Sequence, residues 1–169
     1  MTVTLEGFAE LDRALEDLSR SAGKRVMRRA LETAAEPLVE LARAGVPRDK
    51  GTLARSMAVS TKLAKRQAGL HRKMFRDDRA AVEMFVGPSY DLGAGGRHGH
   101  LVEFGTKPHI NAGMFPGTKH PGTAPQPFMR PAWDQDQMAL LDRLGREMWA
   151  EIGKAAARAA RKAARQARG

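Results

Sequence analysis

Apolar residues recur at helical spacing in three stretches of the chain. The first runs from Phe8 to Leu18 and predicts a short helix, because its large apolar residues fall three and four positions apart. The second predicts a longer helix over roughly 22–44, kinked where Pro37 removes a hydrogen bond. The third begins near Pro131, a residue suited to a first helical turn, and predicts the final helix. The three apolar faces consist of Phe8, Leu11, Leu15 and Leu18; of Val26, Ala30, Ala34, Leu38 and Leu41; and of Leu141, Leu144, Met148 and Ile152.

Alternating apolar positions predict two strands between the second and third helices. We expect one helical turn over 52–56, and then an antiparallel pair of strands formed by Met57–Leu63 and Ala81–Val86. The basic stretch that joins the strands is long for a hairpin loop. It therefore either extends both strands or projects as a mobile arm.

Glycine and proline mark the loops of the second half of the chain. Gly93–Gly99 is predicted to be a flexible loop, and Leu101–Phe104 a short ordered element of either type. Residues 105–127 hold four glycines and five prolines, so we expect an extended loop without a core pattern of its own. These elements predict an α+β fold, with a small antiparallel sheet packed against two or three helices and a long C-terminal helix.

The length of 169 residues suits one compact domain. We expect a single domain over 1–153, followed by a basic helical extension rich in Ala and Arg over 154–169. The sequence has no cysteine, which excludes disulfides, thiolate metal ligands and thiol nucleophiles. The first eight residues lack the features of a signal peptide, and no apolar run approaches the roughly 20 residues that span a bilayer. We therefore expect synthesis in a cytoplasm and no membrane partner.

The net charge of +10 is concentrated in two segments. Residues 154–168 carry six basic residues and no acid, while residues 62–79 carry seven basic and two acidic residues, so the rest of the chain is nearly neutral. Four arginines of the first segment fall near one helical face, namely Arg158, Arg161, Arg165 and Arg168. This stripe suits non-specific contact with DNA phosphates or with an acidic protein surface. A solvated helix end accounts for the same pattern equally well.

Candidate catalytic and metal-binding groups are few. His98 and His100 would share one face of a strand and form half of a zinc site, with His109, His120, Asp91 and Glu103 nearby in the sequence. Their spacing is poor for metal ligands, so solvated loop histidines are the favoured interpretation. The glycine-rich run that begins at Gly93 lacks the lysine of a phosphate loop, and no serine has an evident base partner. The sequence predicts no enzyme activity, no metal and no cofactor.

Three segments, taken together and in order, resemble motifs of the tail-completion family of long-tailed phages, also called minor tail or head–tail joining proteins. They are Ala44–Ser56, with Lys50 where the family usually has threonine, His100–Thr106 (HLVEFGT) and Ala124–Ala132 (APQPFMRPA). The opening Leu5–Leu11 is also similar to the start of that family. The resemblance marks these candidate interaction residues: Pro47, Gly51, Leu53, Ser56, Glu103, Phe104, Gly105, Thr106, Pro127, Phe128 and Pro131.

The resemblance implies a structural virion protein that forms a homo-hexameric ring around the DNA channel of a phage tail or gene transfer agent. Its implied partners are copies of itself, the major tail tube protein, the head connector or stopper protein, and the passing DNA. Two other roles stay open: a basic DNA-binding accessory protein, and a stopper or adaptor ring of the neck. Phe128 is predicted to anchor either a neighbouring subunit or the chain's own core, with the core favoured because isolated aromatic residues usually belong there.

Overall fold

The computed structural model describes residues 20–48, 50–63, 65–75, 82–89, 92 and 94–166. The predicted first helix, Phe8–Leu18, lies outside these residues. The helices are α1 (Arg20–Gly45), α2 (Thr52–Arg55), α3 (Lys65–Met74), α4 (Gly99–Phe104) and α5 (Met129–Gln166), with a 3₁₀ helix at Ala94–Arg97. The strands are β1 (Met57–Ser60), β2 (Phe85–Pro88), β3 (His109–Ile110) and β4 (Lys119–His120). The predicted α+β class is confirmed, and the described chain is mostly helical.

Helices α1 and α5 form an antiparallel pair that contains most of the core. The first half of α1 contacts the last half of α5 in one cluster of buried residues, formed by Val26, Ala30, Met148, Ile152 and Ala155. The second half of α1 contacts the start of α5 in another cluster, which adds β1 and consists of Leu38, Val39, Ala42, Val46, Met57, Phe128 and Ala132. Burial of this apolar area is the main force that holds the two helices together.

A polar contact fixes the two helices at their centre. The side chain of Arg143 on α5 donates from Nε to the backbone oxygen of Ala34 on α1 at 3.1 Å. Its two terminal nitrogens donate to the buried carboxylate of Asp136 at 3.0 and 2.5 Å. Asp136 is therefore paired with both oxygens satisfied, as a buried carboxylate requires.

The predicted pairing of two antiparallel strands is confirmed, although the strands are short. In the β1–β2 pair, Met57 lies opposite Pro88 and Ser60 lies opposite Phe85. Strand β1 ends before Leu63, and β2 begins four residues after the predicted Ala81. The segment 105–127, predicted as a loop, also forms a second antiparallel pair from β3 and β4.

Two further local predictions are wrong. The basic stretch after β1 is neither extended strand nor arm over 65–74, since it forms helix α3. The described part of Gly93–Gly99 is not a flexible loop, because Gly95, Gly96 and Gly99 are buried in the 3₁₀ helix and the start of α4. The space beside Gly95 explains this, since an added Cβ would lie 2.4 Å from the backbone of Thr52. The close approach of two backbones therefore selects glycine here.

Helix α5 continues without a break from Met129 to Gln166, so the basic extension predicted from residue 154 is helical throughout its described part. Helix α1 is likewise continuous through Pro37, and the predicted kink there stays a prediction. Among the described residues, no helix combines the length and the apolar character needed to cross a membrane.

Candidate functional site

The carboxylate of Glu103 joins two of the three sequence motifs. Glu103 lies on the last turn of α4, and its Oε2 accepts hydrogen bonds from the backbone N–H groups of Phe128 at 2.7 Å and Met129 at 2.9 Å. Its Oε1 accepts a third, from Arg130 at 3.0 Å. The N–H of Phe128 immediately precedes α5 and those of Met129 and Arg130 lie in its first turn, so none of the three has a partner inside that helix. Glu103 thus caps α5 from 25 residues away in the sequence.

The environment of Glu103 keeps it ionised. Burial by itself raises the pKa of the carboxyl. The hydrogen bonds from the N–H groups of Met129, Phe128 and Arg130, together with the Arg130 charge, lower the pKa by more than burial raises it. The net effect is a pKa below the ordinary value. A negative charge at the first turn of a helix also interacts favourably with the helix dipole. The ionised carboxylate is therefore the form that stabilises the fold.

Backbone pairing strengthens the same connection. The N–H of Gln126 donates to the carbonyl of Val102 at 2.8 Å, and Thr106 and Thr123 exchange two backbone hydrogen bonds at 3.0 and 3.1 Å. Gly105 turns the chain between them with a φ of +69°, and a Cβ there would lie 2.5 Å from the Thr123 carbonyl oxygen. The motif that contains Glu103 and the motif that precedes α5 therefore form one unit.

The first motif forms the turn between α1 and β1. Gly51 adopts a φ of +66° immediately before α2, a conformation that favours glycine. The buried hydroxyl of Ser56 donates to the carbonyl of Leu53 at 2.7 Å, and the Ser56 carbonyl accepts from the N–H of Ser89 at 2.7 Å. From α1, Arg43 donates to the carbonyls of Ala54 and Met57 at 3.2 and 3.0 Å. This motif holds the strand pair against the helices.

Most of the predicted interaction residues therefore support the fold. The buried ones are Ser56, Glu103 and Phe128; the half-buried ones are Gly51, Leu53, Gly105 and Thr106; the exposed ones are Pro47, Phe104, Pro127 and Pro131. Phe128 lies in the chain's own core at 2% exposure, as the favoured interpretation expected, so its side chain is not available to a neighbouring subunit. Of the four exposed residues, Phe104 is the aromatic one, and it is 77% exposed.

Phe104 belongs to an exposed apolar surface that the sequence did not reveal. It lines a shallow cavity beside Glu103, with Met129 and the half-exposed indole of Trp133 on the first turns of α5. A second exposed apolar group lies at the tip of the β3–β4 hairpin, formed by Ile110, Met114 and Phe115. Phe104 and this tip lie on separate elements of the chain. No periodic pattern indicates either group, because the first combines a short helix with the exposed start of α5 and the second lies on a short hairpin.

The basic stripe predicted on the last helix is in part present. Arg158, Arg161 and Arg165 are exposed along α5, while Arg168 lies outside the described residues. Beside them, Arg158 and Lys162 face Arg25 and Arg29 of α1 across a groove. The sequence did not bring α1 into this site, because the two segments are more than 120 residues apart.

Glu151 lies buried at the base of that groove. Its Oε1 accepts from Lys154 at 2.7 Å, and its Oε2 lies 3.6 Å from Arg29. The hydrogen bond from Lys154 lowers the pKa of Glu151, burial raises it, and the charges of Lys154, Arg29 and Arg158 lower it again, so the net pKa lies below the ordinary value. Glu151 therefore stays ionised and neutralises part of the basic charge around it.

The histidines do not form the half-site that the sequence suggested. His98 precedes α4 and His100 lies in its first turn, so the pair is not on a strand face. His109 and His120 stack across the β3–β4 pair with ring centroids 4.9 Å apart. In the described ranges, which omit Asp91, no group of three His, Cys, Asp or Glu side chains is placed to hold a metal ion.

Comparison with known families gives a match over residues 9–105, which is more than half of the chain. The family is described as "Bacteriophage HK97-gp10, putative tail-component". The matched region contains the first motif and most of the second, and it ends at Gly105. Comparison with curated proteins gives no match, and comparison with solved structures gives none either.

Proposed function

Since this chain belongs to the HK97-gp10-like family of phage tail components, and so to the structural proteins of the virion, we propose that it forms the ring that completes the tail tube. In this proposal the ring is a homo-hexamer, assembled in the host cytoplasm. It contacts the major tail tube protein on one side and the head connector or stopper protein on the other. Residues 1–153 are the tail-completion domain, and 154–169 are an extension toward the DNA channel.

The observation that carries the ring proposal is the placement of the aromatic residues. Among the described residues, Phe128 is the one aromatic side chain in the buried core, whereas Phe75, Phe104, Phe115, Trp133 and Trp149 are each at least 46% exposed. Exposed aromatic and apolar groups of this kind mark surfaces that other proteins cover. A subunit with this surface is suited to assembly.

The two apolar groups also suit a head-to-tail contact. A ring requires two different and complementary patches on each subunit, because one patch that contacts itself gives only a dimer. We assign one patch to Phe104 and Trp133, and the other to the hairpin tip around Met114 and Phe115. Met114 is 88% exposed, so the tip can enter a neighbour's surface without rearrangement of its own fold.

Two tryptophans on α5 provide a matched test. Trp133 and Trp149 have the same exposure of 46%, but only Trp133 lies beside Phe104. We expect Trp133→Ala to abolish ring formation on tail tubes, and Trp149→Ala to leave it intact, in a producer strain that lacks the native gene. Electron microscopy of the particles is the measurement, with a fold check on each purified variant by circular dichroism.

The same strain tests the tail-completion role itself. Without the gene we expect overlong or irregular tail tubes beside DNA-filled heads. Tails of normal length joined to heads would reject the proposal. Tails of normal length that fail to join heads would instead indicate a stopper or adaptor ring of the neck.

A second function, a basic DNA-binding accessory protein, is favoured by one observation. Arg158, Arg161 and Arg165 are exposed on one helix without an intervening acid. In the ring proposal they contact the passing DNA without sequence preference, and Arg168 joins them. A tight and salt-sensitive DNA complex of the isolated chain, combined with normal tails in the gene-less strain, would favour the accessory role.

A further inference from the structure

The antiparallel pairing of α1 and α5 brings two basic segments to one end of the molecule. Residues 20–31 of α1 contain five basic residues and no acid, and residues 154–166 of α5 contain another five and no acid. The remaining halves of the two helices carry more acidic than basic residues. The ten basic residues are Arg20, Lys24, Arg25, Arg28 and Arg29 on α1, and Lys154, Arg158, Arg161, Lys162 and Arg165 on α5.

Four of these side chains line the groove between the helices. Arg25 and Arg29 form one wall and Arg158 and Lys162 the other, with alanines between them and Glu151 at the base. On each wall the two cations are four residues apart, which is about 6 Å along a helix. The groove therefore presents two short, facing rows of positive charge.

Among the described residues, the one acid in the groove neutralises only part of this positive charge. Glu151 is occupied by Lys154 and lies near Arg29. Within the described ranges, no acidic side chain forms a close ion pair with Arg25, Arg158 or Lys162, although the Arg158 charge acts on Glu151. Such an excess of like charge destabilises the free protein and is relieved by a bound polyanion.

We propose that this groove binds the phosphate backbone of double-stranded DNA, with Arg25 and Arg29 as contacts that neither the sequence nor the family match assigns. Arginine and lysine in rows are the footprint of backbone binding. Among the residues that the structure describes, the lining has no aromatic side chain on which an unpaired base could stack, which favours duplex over single-stranded DNA. Its described lining residues also include none of the aromatic or large apolar side chains that are typical of a protein interface.

This inference rests on the proposed contact of the assembled ring with the passing DNA through α5. It adds Arg25 and Arg29 of α1 as a second set of contacts to the same DNA. Because contacts to the phosphate backbone carry no sequence information, we expect the binding to be independent of sequence. The isolated full-length chain is expected to bind duplex DNA without forming a ring. The test below can therefore fail while the ring proposal stands, and the reverse also holds.

The test is the salt dependence of binding to a mixed-sequence duplex oligonucleotide, measured by fluorescence anisotropy. Each lost phosphate contact lowers the slope of log K against log salt by about 0.9, so Arg25→Ala/Arg29→Ala should make the slope shallower by about 1.8. The same variant should bind about tenfold or more weakly at 0.1 M salt. Arg158→Ala/Lys162→Ala should give a similar change from the other wall.

Two controls separate the groove from net charge and from misfolding. Arg48→Ala/Arg97→Ala removes two exposed arginines near the other end of the helix pair, and should leave the slope unchanged. Arg25→Lys/Arg29→Lys keeps both charges and should retain the native slope. An equal decrease of the salt slope in the Arg48/Arg97 variant, or no decrease in the Arg25→Ala/Arg29→Ala variant, would overturn the proposal that the groove binds DNA. Tighter binding to a single strand of the same length would overturn the choice of duplex.

Discussion

Removal of the Glu103 carboxylate should be among the most damaging single changes in this protein. In Glu103→Ala, the buried N–H of Phe128 loses its acceptor, which costs about 1–3 kcal/mol, and the partly buried N–H groups of Met129 and Arg130 each lose a bond to a charged group. We therefore expect a loss of about 3–5 kcal/mol in the free energy of unfolding. Natural domains have about 5–15 kcal/mol in total, so the variant should be marginally folded.

Glu103→Gln provides the finer measurement. Its amide oxygen still accepts from one or two of the three N–H groups, but the negative charge is gone, so we expect a loss of about 2 kcal/mol. For a chain of this size each kcal/mol corresponds to about 2–4 °C in Tm, which gives a decrease of roughly 6 °C. The assay is thermal and urea unfolding, followed by circular dichroism. Glu36→Ala removes an exposed carboxylate from α1 and should change stability by less than about 0.5 kcal/mol.

The pH dependence of stability should identify the ionised Glu103 carboxylate as the form that stabilises the fold. The pKa of Glu103 is lower in the folded chain than in the unfolded chain, so its stabilisation is fully present above the unfolded value of about 4.3. It is lost as the pH falls through the folded pKa. The difference in stability between the native chain and Glu103→Gln should therefore be largest near pH 7 and disappear at low pH. A constant difference from pH 7 to pH 3, or a Glu103→Ala variant as stable as the native chain, would refute the cap.

Two glycine substitutions should have opposite effects, both measured by urea unfolding. Gly95→Ala places a Cβ 2.4 Å from the Thr52 backbone, which cannot move aside, so we expect a loss of about 3 kcal/mol or more; an unchanged midpoint would contradict the close packing. Gly153→Ala lies on an exposed position of α5 with nothing within 4 Å, and should raise stability by about 0.5–1 kcal/mol through helix propensity; a loss there would show an unrecognised contact.

The sequence predicts the long helices better than the short elements between them. The buried faces of α1 and α5 follow the helical period closely, and Val26, Leu38 and Ile152 lie in the core as expected. Helix α3 was missed because it has no apolar stripe. Its His71 ring lies 4.8 Å from that of Phe75, four residues further along, and 5.2 Å from that of Phe85 on β2. The contact with Phe85 is non-local, and such a contact leaves no periodic signal.

The candidate site is predictable only where it is local. The turn at Gly51 follows from local sequence, because glycine readily adopts a positive φ. The cap by Glu103 does not, since its N–H partners are 25 to 27 residues away. The basic groove is not predictable from local sequence either, because Arg25 and Arg158 are far apart in the chain and face each other only through the antiparallel packing of two helices. Glycine-rich composition near Gly95 was misread as flexibility, since a close backbone approach and a loose loop select the same residue.

The two proposed surfaces lie far enough apart to be altered separately. Trp133 and Arg158 are 25 residues apart on the continuous helix α5, which is about 37 Å along its axis. That separation is several times the Debye length of about 8 Å at physiological salt, so a change of charge in the groove has little electrostatic effect at the apolar surface. Distant sites without shared partners also show additive effects. We therefore expect Arg25→Ala/Arg29→Ala to weaken DNA binding with normal rings, and Trp133→Ala to abolish rings with normal DNA binding. Loss of both properties in either variant would mean that the two surfaces are one interface.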